Sequence, residues 1–190
     1  YSNRGLKTSK QIKQFHTPPH PDKLTPKSAF LSPALVKNAV TLIKHHISQK
    51  HKIAIYGDYD VDGICSTAIL WETIYSFYPD VFPHIPHRES EGYGLTQKGI
   101  DHCLSLGAKL VIAVDNGITA SDQIKYCRAQ GCDIIIIDHH QPGRILPRPN
   151  VLLHSTSTCA AGLAYLFSRQ FLSTTSHELT NREPTNLEHL

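Results

Sequence analysis

The stretch Asp133-Ile134-Ile135-Ile136-Ile137-Asp138-His139-His140 decides the fold. Four isoleucines in a row leave no polar position on either face, so the strand they form is buried on both sides. Continuous β-branched runs of this kind belong to parallel sheets covered by helices. The run then ends abruptly in a carboxylate and two imidazoles, groups that a chain rarely buries without partners.

Two earlier segments repeat the pattern. Lys52-Ile53-Ala54-Ile55-Tyr56 reads as a strand and runs into Gly57-Asp58-Tyr59-Asp60-Val61-Asp62-Gly63. Residues 110–114 read as a strand and run into Asp115-Asn116-Gly117. Short strands at 81–85 and 151–153 complete the set. Helices are predicted between them from apolar spacing. One covers 33–50, with Ser32 as N-cap and Pro33 at the first helical position. Ile64, Ala68, Trp71, Ile74, Tyr75 and Tyr78 mark the face of a second. Thr96 caps a third that stops before Gly107, Thr119 caps a fourth that stops before Gly131, and 160–172 forms another.

A β-α-β-α order implies an α/β fold: a doubly wound, mostly parallel sheet with right-handed crossovers and helices on both faces. We divide the chain into a Pro-rich arm at 1–31, with a short helix around 9–15, a catalytic domain at 32–172, and a polar segment at 173–190.

Ligands in such folds sit beyond the carboxyl ends of the strands. Three strands here end in hard ligands: Asp58, Asp60 and Asp62, then Asp115, then Asp138, His139 and His140. Asp and Asn after one strand are ordinary turn formers; three such strands in one sheet point to a cation site. Close carboxylates repel and raise one another's pKa unless something positive sits among them. Carboxylates with imidazole and no thiolate suit Mg²⁺, Mn²⁺ or Fe²⁺ better than structural zinc. So many of them suit two ions ~3.5–4 Å apart, an arrangement that clamps the attacking and leaving oxygens of a phosphoryl displacement. Gly63 is expected to turn the chain sharply into a helix whose N-terminus faces the site. No P-loop and no dinucleotide fingerprint occurs.

These motifs resemble the first three motifs of the DHH phosphoesterase superfamily. Ile85-Pro86-His87-Arg88, Glu91-Gly92-Tyr93-Gly94-Leu95 and Asp138-His139-His140-Gln141-Pro142-Gly143 are similar to its single-stranded-DNA-specific exonucleases. The resemblance covers about residues 4–150. It implies a 5′→3′ exonuclease that uses Mn²⁺ or Mg²⁺, releases 5′-mononucleotides and serves DNA repair and recombination. It implies that Asp60, Asp62, Asp115 and His139 bind the metals, with Asp115 as the bridge. Asp58 would be a ligand or a support behind one, and His140 would contact the scissile phosphate. Arg88 is a candidate phosphate or strand contact, and Tyr93 a candidate base-stacking residue. Single-stranded DNA is the implied partner, with a helicase and a single-strand-binding protein as further candidates.

The family pattern also includes a fourth motif with another metal-ligating Asp. Ala161-Gly162-Leu163-Ala164-Tyr165 resembles the start of the helix before it, but no matching Asp follows through Leu190. The chain is therefore read as a fragment of a catalytic core. Two other functions stay open: a phosphoesterase of the same superfamily acting on short oligoribonucleotides, cyclic dinucleotides or 3′-phosphoadenosine phosphate, and a replication scaffold that has lost its metals.

Composition is compatible with all three. The chain is 40% hydrophobic and 18% charged with a net charge of +3, which permits a nucleic-acid partner without demanding one. Five cysteines without a C-x-x-C pair argue against a disulfide framework and for reduced thiols in a cytoplasmic setting. Cys65 and Cys103 are expected in the core. No apolar run approaches the ~20 residues of a membrane span.

Overall fold

The computed structural model describes residues 1–179. Its centre is a five-stranded parallel sheet in the order β2-β1-β3-β4-β5. The strands are β1 (Lys52–Tyr56), β2 (Val81–His84), β3 (Ala108–Val114), β4 (Asp133–Asp138) and β5 (Val151–His154). The helices are α1 (Ser9–His16), α2 (Pro33–Ser48), α3 (Val61–Tyr75), α4 (Gln97–Ser105), α5 (Ser121–Ala129) and α6 (Ala160–Leu179). The 1–31 arm holds α1 and three short 3-10 turns.

Alternation along the strands sorts the core into two layers. Ile53, Ile55, Leu110, Ile112, Val114, Ile135 and Ile137 face α2, α3 and α6. Ala54, Tyr56, Val111, Ala113, Ile134 and Ile136 face α4 and α5. Each isoleucine of the 134–137 run is fully buried, two on either side, as the unbroken run requires. Pro83, which has no N–H for a ladder, sits in β2 at the sheet edge. No helix among the described residues is long and apolar enough to cross a membrane.

Several expectations are corrected. Helix α3 buries Ile69, Leu70, Thr73 and Ile74, whereas Ile64 and Tyr75 are exposed. Of the predicted face, Ile74 and Tyr78 are buried and Ala68 and Trp71 half-buried. Cys65 is exposed and Cys103 buried. Thr119 does not cap α5, which Ala120 precedes; Ser32 is the N-cap residue of α2 before Pro33, as expected, but its side chain makes no capping bond. Thr96 does cap α4, accepting from the Gly99 N–H at 3.0 Å. Helix α6 continues to Leu179 rather than stopping at 172. The remainder of the 173–190 segment lies outside the described residues.

Gly63 does not make the turn out of β1. It lies within the first turn of α3, donating its N–H to the Asp60 carboxylate at 2.9 Å. Its role is close approach: a Cβ there would meet the Asp58 Cβ and carbonyl oxygen at 2.6 Å. Helix α3 can therefore press against the acidic loop only because this position lacks a side chain.

Strand order reverses between β1 and β3, since the chain leaves β1 for β2 on one side and returns to β3 on the other. A crevice opens at the carboxyl ends of strands at such a switch point. The acidic loop after β1 and Asp115 after β3 flank it, with the end of β4 beside them.

Candidate metal centre

Asp115, at the tip of β3, is the buried hub. Its backbone is left-handed, with φ 64°, an uncommon conformation for a residue other than glycine. Only 1% of the residue is exposed. His139 Nε2 lies 3.1 Å from its Oδ1, yet that oxygen has no hydrogen-bond partner. His139 Nε2 is also 3.4 Å from Oδ2 of Asp62. Asp115, His139 and His140 each place one ligand atom within 4.8 Å of the others. Burial, then the Asp62 and Asp60 charges, push the Asp115 carboxyl up to about 8.

The three aspartates of the first loop are not equivalent. Asp58 is fully buried; its Oδ1 accepts from the Tyr59 N–H at 2.7 Å, and its Oδ2 has no partner. Burial, reinforced by Asp60, raises its pKa. Asp60 is exposed and caps α3. Both oxygens of Asp62 accept backbone N–H groups from the start of α6: Oδ2 from Ala160 at 2.8 Å and Oδ1 from Ala161 at 2.7 Å.

Asp138, which the motif reading left without a role, organises the third corner. Its Oδ1 accepts from the N–H groups of His139 and His140 and pairs with His140 Nδ1 at 2.8 Å. Its Oδ2 accepts from the Ile118 N–H at 2.9 Å. Burial lowers the His140 imidazole, but the bond to Asp138 and the charges of Asp138, Asp115 and Asp58 outweigh it, so its pKa is raised. Asn116 was missed as well. Its amide donates to the carbonyls of Gly57 at 3.0 Å and Val114 at 2.9 Å, tying the ends of β1 and β3 together. An Asx residue at a strand end is the sequence signal for both, though it does not distinguish a turn from a cross-strand tie.

Of the other predicted residues, Tyr93 reaches the site, with its hydroxyl 3.4 Å from His140 Nε2. Partial burial and the Asp58 and Asp115 charges push its pKa up to about 12. Arg88 is held at the rim, its guanidinium 5.5 Å from the centre of the Tyr59 ring, a cation–π distance. A cavity of about 550 Å³ opens beside His140, lined by Tyr93, Asn116, Thr119, Gln123 and Gln141 among others.

The donor set fits a divalent cation. Two buried carboxylate oxygens lack hydrogen donors, and a carboxylate and an imidazole converge without bonding to each other. A cation among Asp115, His139 and His140 would give the unpartnered Asp115 Oδ1 a partner.

A parallel, doubly wound α/β domain with an aspartate–histidine cluster at the switch point of its sheet is thus the class defined by fold and site. Residues 52–187 match the DHH family, N-terminal domain, and the chain belongs to that family. It is 41% identical over 119 residues to the single-stranded-DNA-specific exonuclease RecJ of Bacillus subtilis, covering 63% of this chain and 15% of that protein. It is 34% identical over 152 residues to RecJ of Thermus thermophilus, covering 76% of this chain and 22% of the relative. A crystal structure of exonuclease RecJ bound to manganese aligns with TM-score 0.67 and 30% identity, over 79% of this chain and 39% of that one. The chain therefore spans about a fifth or less of the length of these curated relatives.

Proposed function

We propose that this chain forms part of the catalytic core of a metal-dependent exonuclease that degrades single-stranded DNA from the 5′ end. The observation that carries the reading is the approach of His139 Nε2 to Asp115 Oδ1 at 3.1 Å without a hydrogen bond between them. With His140, these residues each bring one ligand atom within 4.8 Å of the others, close enough to share an ion. The relatives named RecJ, and the one with manganese bound, supply the reaction class and the ion.

In this reading Asp60, Asp115 and His139 would hold Mn²⁺ or Mg²⁺, with the buried Asp115 as the central ligand. Asp62 keeps the role of a ligand while anchoring α6, and Asp58 supports the loop from below. When bound, the ions activate a water molecule and offset the charge that develops on the phosphate. The chain's own residues orient the substrate. His140, kept in one orientation by Asp138 and with a raised pKa, presents Nε2–H to a phosphate oxygen. Tyr93 offers an aromatic surface for the terminal base, and Arg88 a guanidinium for the backbone. Hydrolysis at that phosphate releases a 5′-mononucleotide and leaves a new end in place. A role in repair and recombination, in a cytoplasmic setting, follows from the same assignment.

The test is to incubate the full-length parent protein with 5′-labelled single-stranded DNA and Mn²⁺. Label should be released as mononucleotide, and Asp60→Ala and Asp115→Ala should each slow release by more than about a hundredfold. Intact substrate with the wild type, or unchanged release with both variants, overturns the proposal.

A further inference from the structure

The residues that would meet the strand, Arg88 and Tyr93, lie on the connection between β2 and α4. A connection of this length is ordinarily mobile. Here its shape is set by the half-buried Glu91 carboxylate. Glu91 Oε2 pairs with Nε2 of His84 at 3.0 Å, and Glu91 Oε1 accepts from the His87 N–H at 3.1 Å. The side chains of His84 and Glu91 are only 8% and 14% exposed.

His84 is itself buried. It is the last residue of β2, and its ring packs between Tyr56, at 4.7 Å between centroids, and His102 of α4, at 5.1 Å. Burial pushes the His84 imidazole below its usual range, with the Glu91 carboxylate opposing. Beyond Glu91 the chain takes two left-handed glycines, Gly92 at φ 89° and Gly94 at φ 68°, with Tyr93 between them. The Tyr56 hydroxyl then donates to the Gly94 carbonyl at 3.1 Å. The connection is thus pinned before and after Tyr93, which is how an exposed tyrosine keeps its hydroxyl beside His140 and its ring 6.0 Å from Tyr59.

We infer that Glu91, clamped by His84, is a positioning residue that holds Arg88 and Tyr93 in place to receive the end of the strand. The inference rests on the nuclease reading for what is positioned, though not for the clamp itself. Glu91 touches neither the aspartate cluster nor the reacting phosphate. Its loss should weaken capture of the strand without altering chemistry on a strand already bound.

Two measurements on the full-length protein test it. In steady-state kinetics on a single-stranded oligonucleotide, Glu91→Ala should raise KM about tenfold with kcat changed less than about twofold, and Glu91→Gln, which keeps an acceptor for His84 or His87, should recover most of the loss. In amide hydrogen exchange without DNA, Glu91→Ala should speed exchange across 86–95 while β1, β3 and β4 stay protected. A fall in kcat at unchanged KM, or no recovery with Gln, overturns the positioning role; unchanged exchange across 86–95 overturns the clamp. If the wild type degrades no strand, the nuclease reading fails, and the exchange measurement still decides the clamp.

Discussion

Asp62 and Ala160 are joined through the Asp62 carboxylate, which accepts the Ala160 N–H at 2.8 Å and the Ala161 N–H at 2.7 Å. A residue in the first acidic motif thus caps a helix that begins 98 positions later. The helix N-terminus places partial positive charge beside a crowded carboxylate, and the carboxylate satisfies two otherwise orphaned donors. Site and fold are coupled at this contact. Asp62→Ala should therefore cost about 1–2 kcal/mol of stability, the ordinary worth of a lost cap. Asp62→Asn, which keeps one acceptor oxygen, should cost less. Urea denaturation in the presence of EDTA measures both, and an Ala variant as stable as wild type would refute the coupling.

Asp115 should behave in the opposite way. Its carboxylate is buried with Oδ1 unpartnered, so without metal it opposes folding. Asn is tolerated in the left-handed region that Asp115 occupies and carries no charge. Asp115→Asn should stabilise the metal-free protein by about 1 kcal/mol and remove most of the stabilisation that Mn²⁺ confers on wild type. The carboxyl is raised to about 8 from an ordinary 3.8, so the native state holds its proton more tightly than the unfolded state. Metal-free wild type should then lose stability as pH rises through that window, and the Asn variant should lose less. Denaturation in EDTA at several pH values checks this; a destabilised Asn variant would count against it.

Gly63→Ala should destabilise the chain although alanine is the better helix former. The new Cβ would lie 2.6 Å from the Asp58 carbonyl oxygen, a backbone atom that cannot swing aside. A cost of about 1–3 kcal/mol is expected from overpacking, against the ~1 kcal/mol gain of propensity. Thermal unfolding of the variant decides the sign.

A separate pH effect comes from His46, remote from the acidic cluster. It is 3% exposed, and its Nε2 pairs with Asp133 at 3.0 Å, joining α2 to the start of β4. Burial is the larger influence and lowers its pKa below 6.5, with Asp133 opposing. The unfolded state then binds the proton more readily. Stability from this group is present above 6.5 and is lost as pH falls through the folded value. His46→Gln should flatten that part of the profile in urea midpoints measured from neutral to mildly acid pH. An unchanged slope would show that folding does not shift the His46 pKa.

The aspartates and histidines of the site were legible because the chain places them at the ends of strong strands, and a parallel sheet brings those ends to one edge. The isoleucine run at 134–137 alone implied burial on both faces, and the alternation of strands with helices implied the sheet. What each carboxylate does was not legible. Asp58, Asp60 and Asp62 look alike in sequence, yet one is buried with an unpartnered oxygen, one caps its own helix and one caps α6. The last of these depends on where α6 returns to the sheet. The Glu91–His84 clamp was equally hidden: Glu91 lies in a segment that carries the resemblance, but nothing in the order of residues pairs it with His84. Strand periodicity and turn chemistry are local, so the order of residues alone dictates which chemical groups arrive at the sheet edge. How those groups are paired, oriented and charged is settled only in the folded chain, because burial and hydrogen bonding depend on residues far away along it.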